Sequence, residues 1–316
     1  MSEDLGSDRS EPSVEEFVRV RVNDGVKSVC LTTEPDHGFV DRSSVLRRTT
    51  TTHGALGPMM TDTKRHTIAV ADGESIVAVH HPSPGSDRWF VCCHGFISDK
   101  SGSYEERCER AAAEGYHAVR FDFRGCGESD GTFPAATLSA RIADLRAVLN
   151  HFDPPKGGVV LFGSSFGSKT ALHAAAGDGP GDDATPDRRV CAVATRAPVT
   201  YGRAFDQLAD AVRARGKVEY APGFPVDERF VNDLDGHDFA DAADRLDVPV
   251  AVFHGREDDS IPLTDSLDAV GALGVDAALW AFAGEDHRFS YDAEDRMRDA
   301  LFDWLARLRP WTQTTP

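Results

Sequence analysis

Residues 157–176 read GGVVLFGSSFGSKTALHAAA, a short apolar, β-branched run that passes through two glycines into an alanine-rich helical pattern. At its centre, Gly163-Ser164-Ser165-Phe166-Gly167 forms a GxSxG pattern between an expected strand and an expected helix. A serine at the apex of such a turn holds its Oγ clear of the sheet. Glycines two residues to either side remove the Cβ atoms that would collide as the chain doubles back. Ser165 is therefore the candidate nucleophile. The pattern occurs a second time, at Gly127-Glu128-Ser129-Asp130-Gly131. There two carboxylates flank the serine, where they would oppose an anionic intermediate, and Thr132-Phe133-Pro134 follows in place of a helix. Ser129 is read as a turn residue.

Working outward, the chain alternates strand-like and helix-like segments from Thr63 onward. HTIAVADGESIVAV holds two alternating apolar stretches joined at Asp72-Gly73, a hairpin signal. RWFVCC, HAVRFDF, GGVVLF, VCAVAT, VPVAVFH and AALWAF are short apolar runs bounded by turn residues. Between them lie SYEERCERAAAEG, a stretch with Leu138, Ile142, Leu145, Leu149 and Phe152 on one face, and a last one with Met297, Leu301, Leu305 and Leu308. Strands too continuous to have a wet face, separated by single helices, predict an α/β fold with a mostly parallel central sheet and helices on both faces. Such sheets carry their sites at the carboxyl ends of the strands.

A serine hydroxyl is a poor nucleophile near neutral pH and needs a base and a group to orient that base. His287 lies in Ala283-Gly284-Glu285-Asp286-His287-Arg288-Phe289, just after AALWAF, and Asp258 lies in Gly255-Arg256-Glu257-Asp258-Asp259-Ser260, just after VAVFH. Each candidate follows a different strand end, and the chain order is Ser, Asp, His. Taken singly, His287 reads as a solvated loop histidine and Asp258 as a surface acid; jointly they read as a triad with Ser165. Glu257, Asp259 and Asp286 crowd the same loops, and in so acidic a chain they are read as solvated carboxylates. No metal and no organic cofactor is expected.

The 316 residues are 41% apolar and 27% charged, with a net charge of −18 and only six lysines. A basic stripe for phosphate binding is missing, so nucleic acid is not an expected partner. No run of 18 apolar residues occurs, so no membrane partner is expected either. The N-terminus lacks the marks of a secretory signal, and a cytoplasmic setting is expected. The acidic, lysine-poor composition is similar to that of proteins adapted to concentrated salt. Cys30, Cys92, Cys93, Cys108, Cys126 and Cys191 have no metal-ligand spacing and are read as reduced, mostly buried thiols.

With these segments in view, the chain from about Thr63 to Pro310 resembles the α/β-hydrolase superfamily. Cys93-His94-Gly95-Phe96 looks like that family's HG loop. Phe121-Asp122-Phe123-Arg124-Gly125-Cys126-Gly127-Glu128-Ser129-Asp130-Gly131 is similar to the corresponding stretch of cinnamoyl/feruloyl-esterase-like and serine-aminopeptidase-like members. The resemblance implies an oxyanion hole from the backbone N–H groups of Phe96 and Phe166, with His94 shaping the loop. Ser168 departs from the small second glycine that often follows the elbow. The resemblance also makes residues 199–247 a cap insertion over the nucleophile. Its Tyr201, Phe205, Tyr220 and Phe224 are then candidates for lining the substrate pocket, or form the cap's own small core.

A domain spanning 59–316 is thus expected, preceded by an N-terminal extension, 1–58, whose role is left open and whose Asn23-Asp24-Gly25 has the character of a hairpin turn. The implied activity is serine hydrolysis of a small-molecule carboxylic ester, small or aryl in preference to triglyceride because the cap is short. A peptidase on the same core and a catalytically idle binding member are the alternatives. Oligomeric state is not legible.

Overall fold

The computed structural model describes residues 16–23, 26–32, 62–179 and 185–308. Twelve strands and eight α-helices occupy them. The N-terminal strands are β1 (Glu16–Asn23) and β2 (Val26–Thr32), followed by β3 (Lys64–Ala69), β4 (Ser75–His81) and β5 (Trp89–Cys93). Then come α1 (Ser103–Ala113), β6 (His117–Phe121), α2 (Leu138–Phe152), β7 (Val159–Ser164), α3 (Phe166–Ala175) and β8 (Val190–Arg196). The stretch between β8 and β11 folds as a 3-10 turn (Gly202–Phe205), α4 (Asp206–Arg215), a hairpin of β9 (Lys217–Ala221) and β10 (Phe224–Asp227), α5 (Glu228–Leu234) and α6 (Phe239–Arg245). The chain returns through β11 (Val250–Gly255), α7 (Leu263–Ala272), β12 (Ala277–Phe282) and α8 (Tyr291–Arg307).

Ten strands form one sheet in the order β2-β1-β12-β11-β8-β7-β5-β6-β4-β3. The six central strands, β6 to β12 in that row, are parallel. Each edge is closed by an antiparallel hairpin: β3–β4 pairs with β6 through β4, and β1–β2 pairs with β12 through β1. The extension left unplaced by sequence therefore contributes two strands to the sheet, Glu16 lying opposite Ala281 and Val20 opposite Ala277. Its turn residues 24–25 lie outside the described residues, as do 33–61.

Side chains alternate across a strand, and here both faces are dry. Val159 and Leu161 of β7, with Val250 and Val252 of β11, point into an apolar layer shared with α2, α3 and the β8–β11 segment. Val160, Phe162, Ala251 and Phe253 point into a second layer, with Cys108 of α1 and Met297, Leu301 and Leu305 of α8. The helix faces follow the sequence pattern, and caps define their starts. Thr137 accepts a hydrogen bond from Ala140 N–H at α2, and Ser290 accepts one from Ala293 N–H at α8. Cys92, Cys93, Cys108, Cys126 and Cys191 are free and buried.

Candidate active site

β7 delivers Ser165 to the carboxyl edge of the sheet with φ 52° and ψ −120°, a positive-φ conformation that a non-glycine residue adopts only under constraint. A Cβ on Gly163 would lie 2.5 Å from the Gly167 carbonyl oxygen, and one on Gly167 would run into the Cys93 carbonyl. Only glycine permits the crossing of β7, α3 and the β5 end. Ser168, where the resemblance favours glycine, donates its hydroxyl to Gly163 O at 2.9 Å and so ties the first turn of α3 to the strand.

Two loops converge on that serine. His287 Nε2 stands 3.0 Å from Ser165 Oγ, and His287 Nδ1 stands 2.8 Å from Asp258 Oδ2. Asp258 Oδ1 accepts hydrogen bonds from Ser260 N–H at 2.9 Å and Ile261 N–H at 2.8 Å. Burial pushes the Asp258 carboxyl up, yet hydrogen bonds from His254, His287 and the Ile261 N–H outweigh it and hold the group well below the usual carboxylate range. The ionised acid fixes the proton on His287 Nδ1, which leaves Nε2 free to accept from the serine hydroxyl.

Three contributors were not read from the sequence. His254, fully buried on β11, has Nε2 3.2 Å from Asp258 Oδ2 and 2.9 Å from Ile261 O, while its Nδ1 is 2.6 Å from Ser266 Oγ. Nε2 faces two acceptors, so it carries the proton. Arg196, the last residue of β8, donates from Nη1 to His287 O at 2.9 Å and steadies the loop. The Tyr104 hydroxyl accepts Gly95 N–H at 3.2 Å. The signals were a histidine four residues before Asp258 in an apolar strand, and a lone cation closing VCAVATR at the sheet's active edge.

The β5 loop faces the nucleophile: a Cβ on Gly95 would stand 3.6 Å from Ser165 Cβ. Burial, with Arg141 beside it, pushes the His94 imidazole down to about 3, and the ring is neutral. His94 Nδ1–H donates to Gly95 O at 2.8 Å, and its Nε2 accepts Phe123 N–H at 3.1 Å, so the ring shapes the loop. Phe166 opens α3, where an N–H has no intrahelical acceptor. Among the described residues, neither Phe96 N–H nor Phe166 N–H is taken by a protein acceptor.

A cleft of about 640 Å³ opens over Ser165. Phe96, Val199, Phe205 and Tyr220 form an apolar wall; Asp259, Asp286 and Arg288 form a polar rim. Of the four aromatics expected to line it, Tyr201 and Phe224 do not. Tyr201 lies in a neighbouring depression, its ring 5.5 Å from Phe239 and covered by Arg203. Phe224 turns inward onto Phe133, at 4.9 Å, which in turn lies 5.0 Å from Phe96; burial draws it behind the wall. The Ser129 hydroxyl is spent on the backbone: it donates to Asp122 O at 2.7 Å and accepts Val77 N–H at 2.9 Å. Behind α3, His173, Asp178 and His237 bring ligand-type atoms within 4.8 Å of one another, but Asp178 is already ion-paired with Arg245.

A parallel sheet with this strand order, a serine on a strand-to-helix elbow, an acid after β11 and a histidine after β12 together define a hydrolase of the α/β class. The chain belongs to the alpha/beta hydrolase family, whose model matches residues 90–313. The human mitochondrial palmitoyl-protein thioesterase ABHD10 is 27% identical over 249 residues, covering 72% of this chain and 75% of that protein. The mouse protein of the same name is 26% identical over 239 residues, covering 68% and 75%. Among solved structures, a hydrolase from Agrobacterium vitis is similar with a TM-score of 0.63 at 27% identity, covering 77% of this chain and 98% of that one. Mouse alpha/beta hydrolase domain-containing protein 10 gives a TM-score of 0.65 at 20% identity, covering 78% and 99%. Est1E from Butyrivibrio proteoclasticus, solved with ferulic acid, gives 0.64 at 17% identity, covering 77% and 100%. Among the described residues, no helix is long and apolar enough to cross a membrane.

Proposed function

We propose that this hydrolase cleaves carboxylic esters of oxygen or sulfur through an acyl-enzyme on Ser165. The observation that carries the reading is the unbroken chain Asp258–His287–Ser165, at 2.8 and 3.0 Å, opening onto the cleft. In the first step Ser165 Oγ bonds to the acyl carbon, its proton passes to His287 Nε2, and the carbonyl electron pair moves onto oxygen, where the N–H groups of Phe96 and Phe166 donate to it. Asp258 stabilises the imidazolium. Collapse expels the alcoholate or thiolate, which takes the proton from His287. Water then repeats the sequence on the acyl-enzyme, releasing the acid and restoring the Ser165 hydroxyl.

The apolar wall of Phe96, Phe205 and Tyr220 suits an acyl group and the polar rim suits a leaving group that stays hydrated. The thioester half of the reading is supported by the name of the ABHD10 relatives. An aminopeptidase is the second reading, favoured by Asp259 and Asp286 in the rim, where a free amino group would need acids.

A panel of p-nitrophenyl esters, aryl esters, acyl thioesters and aminoacyl amides separates these. Esters or thioesters are expected to turn over and amides to remain intact; the reverse order would make the protein a peptidase. A fluorophosphonate probe is expected to label wild type and Ser129→Ala, and to leave Ser165→Ala unlabelled. Labelling of Ser165→Ala would displace the nucleophile from the elbow.

A further inference from the structure

The apolar stripe of α2 carries a cation. Arg141 stands among Leu138, Ile142 and Leu145, and its side chain is fully buried. Among the described residues it has no carboxylate at ion-pairing distance; Asp144, one turn on, is engaged by Arg124 at 2.7 Å. A bare guanidinium in such surroundings is strongly unfavourable unless its donors are used. Those of Nη1 and Nη2 go to three consecutive backbone carbonyls of the β5 loop, with Nη2 also 3.7 Å from Cys126 Sγ, while Nε has no partner among the described residues. Nη1 donates to His94 O and Gly95 O, each at 3.2 Å, and Nη2 donates to Phe96 O at 2.8 Å. The rings of Phe123, Phe166 and Phe96 surround the guanidinium, at 4.7, 5.1 and 5.9 Å from it.

In a strand, successive carbonyls point in alternate directions. Three facing the same donor is a loop conformation that a fork of N–H groups selects. In a trans peptide the carbonyl of one residue and the N–H of the next point opposite ways. Turning the carbonyls of 94, 95 and 96 inward therefore turns the N–H groups of 95, 96 and 97 outward. Gly95 N–H is taken by the Tyr104 hydroxyl. Phe96 N–H has no protein acceptor among the described residues, and the loop that carries it faces Ser165.

We propose that Arg141 is a positioning residue of the oxyanion hole: by gripping the carbonyls of His94, Gly95 and Phe96 from beneath, beside the bond that His94 makes to Gly95 O, it holds Phe96 N–H aimed at the reacting oxygen without touching substrate. This rests on the ester-cleaving reading of Ser165. Lysine at this position keeps the charge and most of the stem but loses the planar fork.

The test uses the full chain as wild type, Arg141→Lys and Arg141→Met, with a p-nitrophenyl ester as substrate and an aryl trifluoromethyl ketone, which adds to the serine as an oxyanion, as the inhibitor. The Lys variant is expected to lose on the order of ten- to a hundredfold in kcat, less than the 10²–10³ seen when an oxyanion donor is removed outright, and Met more. KM should stay within about twofold, since ground-state binding does not use the hole. Ketone affinity should fall by the same factor as kcat/KM, while the pH midpoint of kcat/KM should not move. A folded variant that keeps its ketone affinity overturns the proposal, as does a loss confined to KM. An Arg141→Lys chain that cannot fold where Ser165→Ala folds overturns it too, assigning the guanidinium to the core alone. A wild-type protein that neither cleaves the ester nor binds the ketone removes the reading beneath it, and the proposal with it.

Discussion

Asp258 and Asp259 are adjacent in sequence and differ in everything that matters to an imidazole. Asp258 is buried and offers Oδ2 to His287 Nδ1; Asp259 is exposed on the cleft rim. In Asp258→Asn an amide N–H2 facing Nδ1 would favour the tautomer protonated on Nε2, which no longer accepts from Ser165. Turnover of a p-nitrophenyl ester is expected to fall by about 10⁴-fold, the scale of the same change in another serine triad, with Asp259→Asn within about twofold. Steady-state kinetics of the two variants check this, and the opposite order would move the acid by one position. At this scale the legible residues were those whose local geometry leaves little choice. The glycines around Ser165 declare a crossing that no Cβ survives. His254, Tyr104 and Arg196 were not legible because their roles arise where separate strands meet, at contacts no local pattern encodes.

Elements were read most securely where one period ran unbroken. The runs at β5, β6, β7, β8, β11 and β12 and the apolar faces of α1, α2 and α8 stand where the pattern puts them. The segment between β8 and β11 was less legible. Its aromatics are spread over a turn, a hairpin and short helices, and nothing in the spacing says that Phe205 and Tyr220 face the cleft while Tyr201 and Phe224 turn away. The β1–β2 hairpin was foreshadowed by its turn, but its partner strand lies near the other end of the chain. Removing residues 1–59 leaves every group of the site in place and strips the cover from β12, whose exposed edge is then a template for pairing. A chain starting at Met60 is expected to hydrolyse esters with kcat and KM within about twofold of the full chain and to self-associate as its concentration rises. Kinetics beside light scattering check both halves; a monodisperse truncated monomer would show that the β12 edge needs no cover.

The whole molecule carries −18 on its surface and still relies on ion pairs. Arg110–Asp299 and Arg298–Glu106 link α1 to α8, and Arg203–Asp265 links the β8–β11 segment to α7. Added salt screens those attractions along with the repulsions, but with 52 acidic residues against 34 basic the unpaired excess is negative, and repulsion is the larger sum. The Debye length falls from ~30 Å at 0.01 M to about 3 Å at 1 M. The thermal midpoint and ester turnover are expected to rise as KCl goes from dilute to molar, with no comparable gain from sucrose at matched water activity. Calorimetry and initial rates in the two solutes decide it; a midpoint that is flat or falls in KCl would set the salt-adapted reading aside. The β1–β12 pairing also sets a schedule for the chain as it is made. Glu16 is made before its partner Ala281, which follows after 265 further residues, on the order of tens of seconds at ordinary rates of synthesis. β1 thus cannot find its place until β12 is made, just ahead of the loop that bears His287. A nascent chain stalled before β12 carries the nucleophile and the acid but neither a partner strand for its hairpin nor the base.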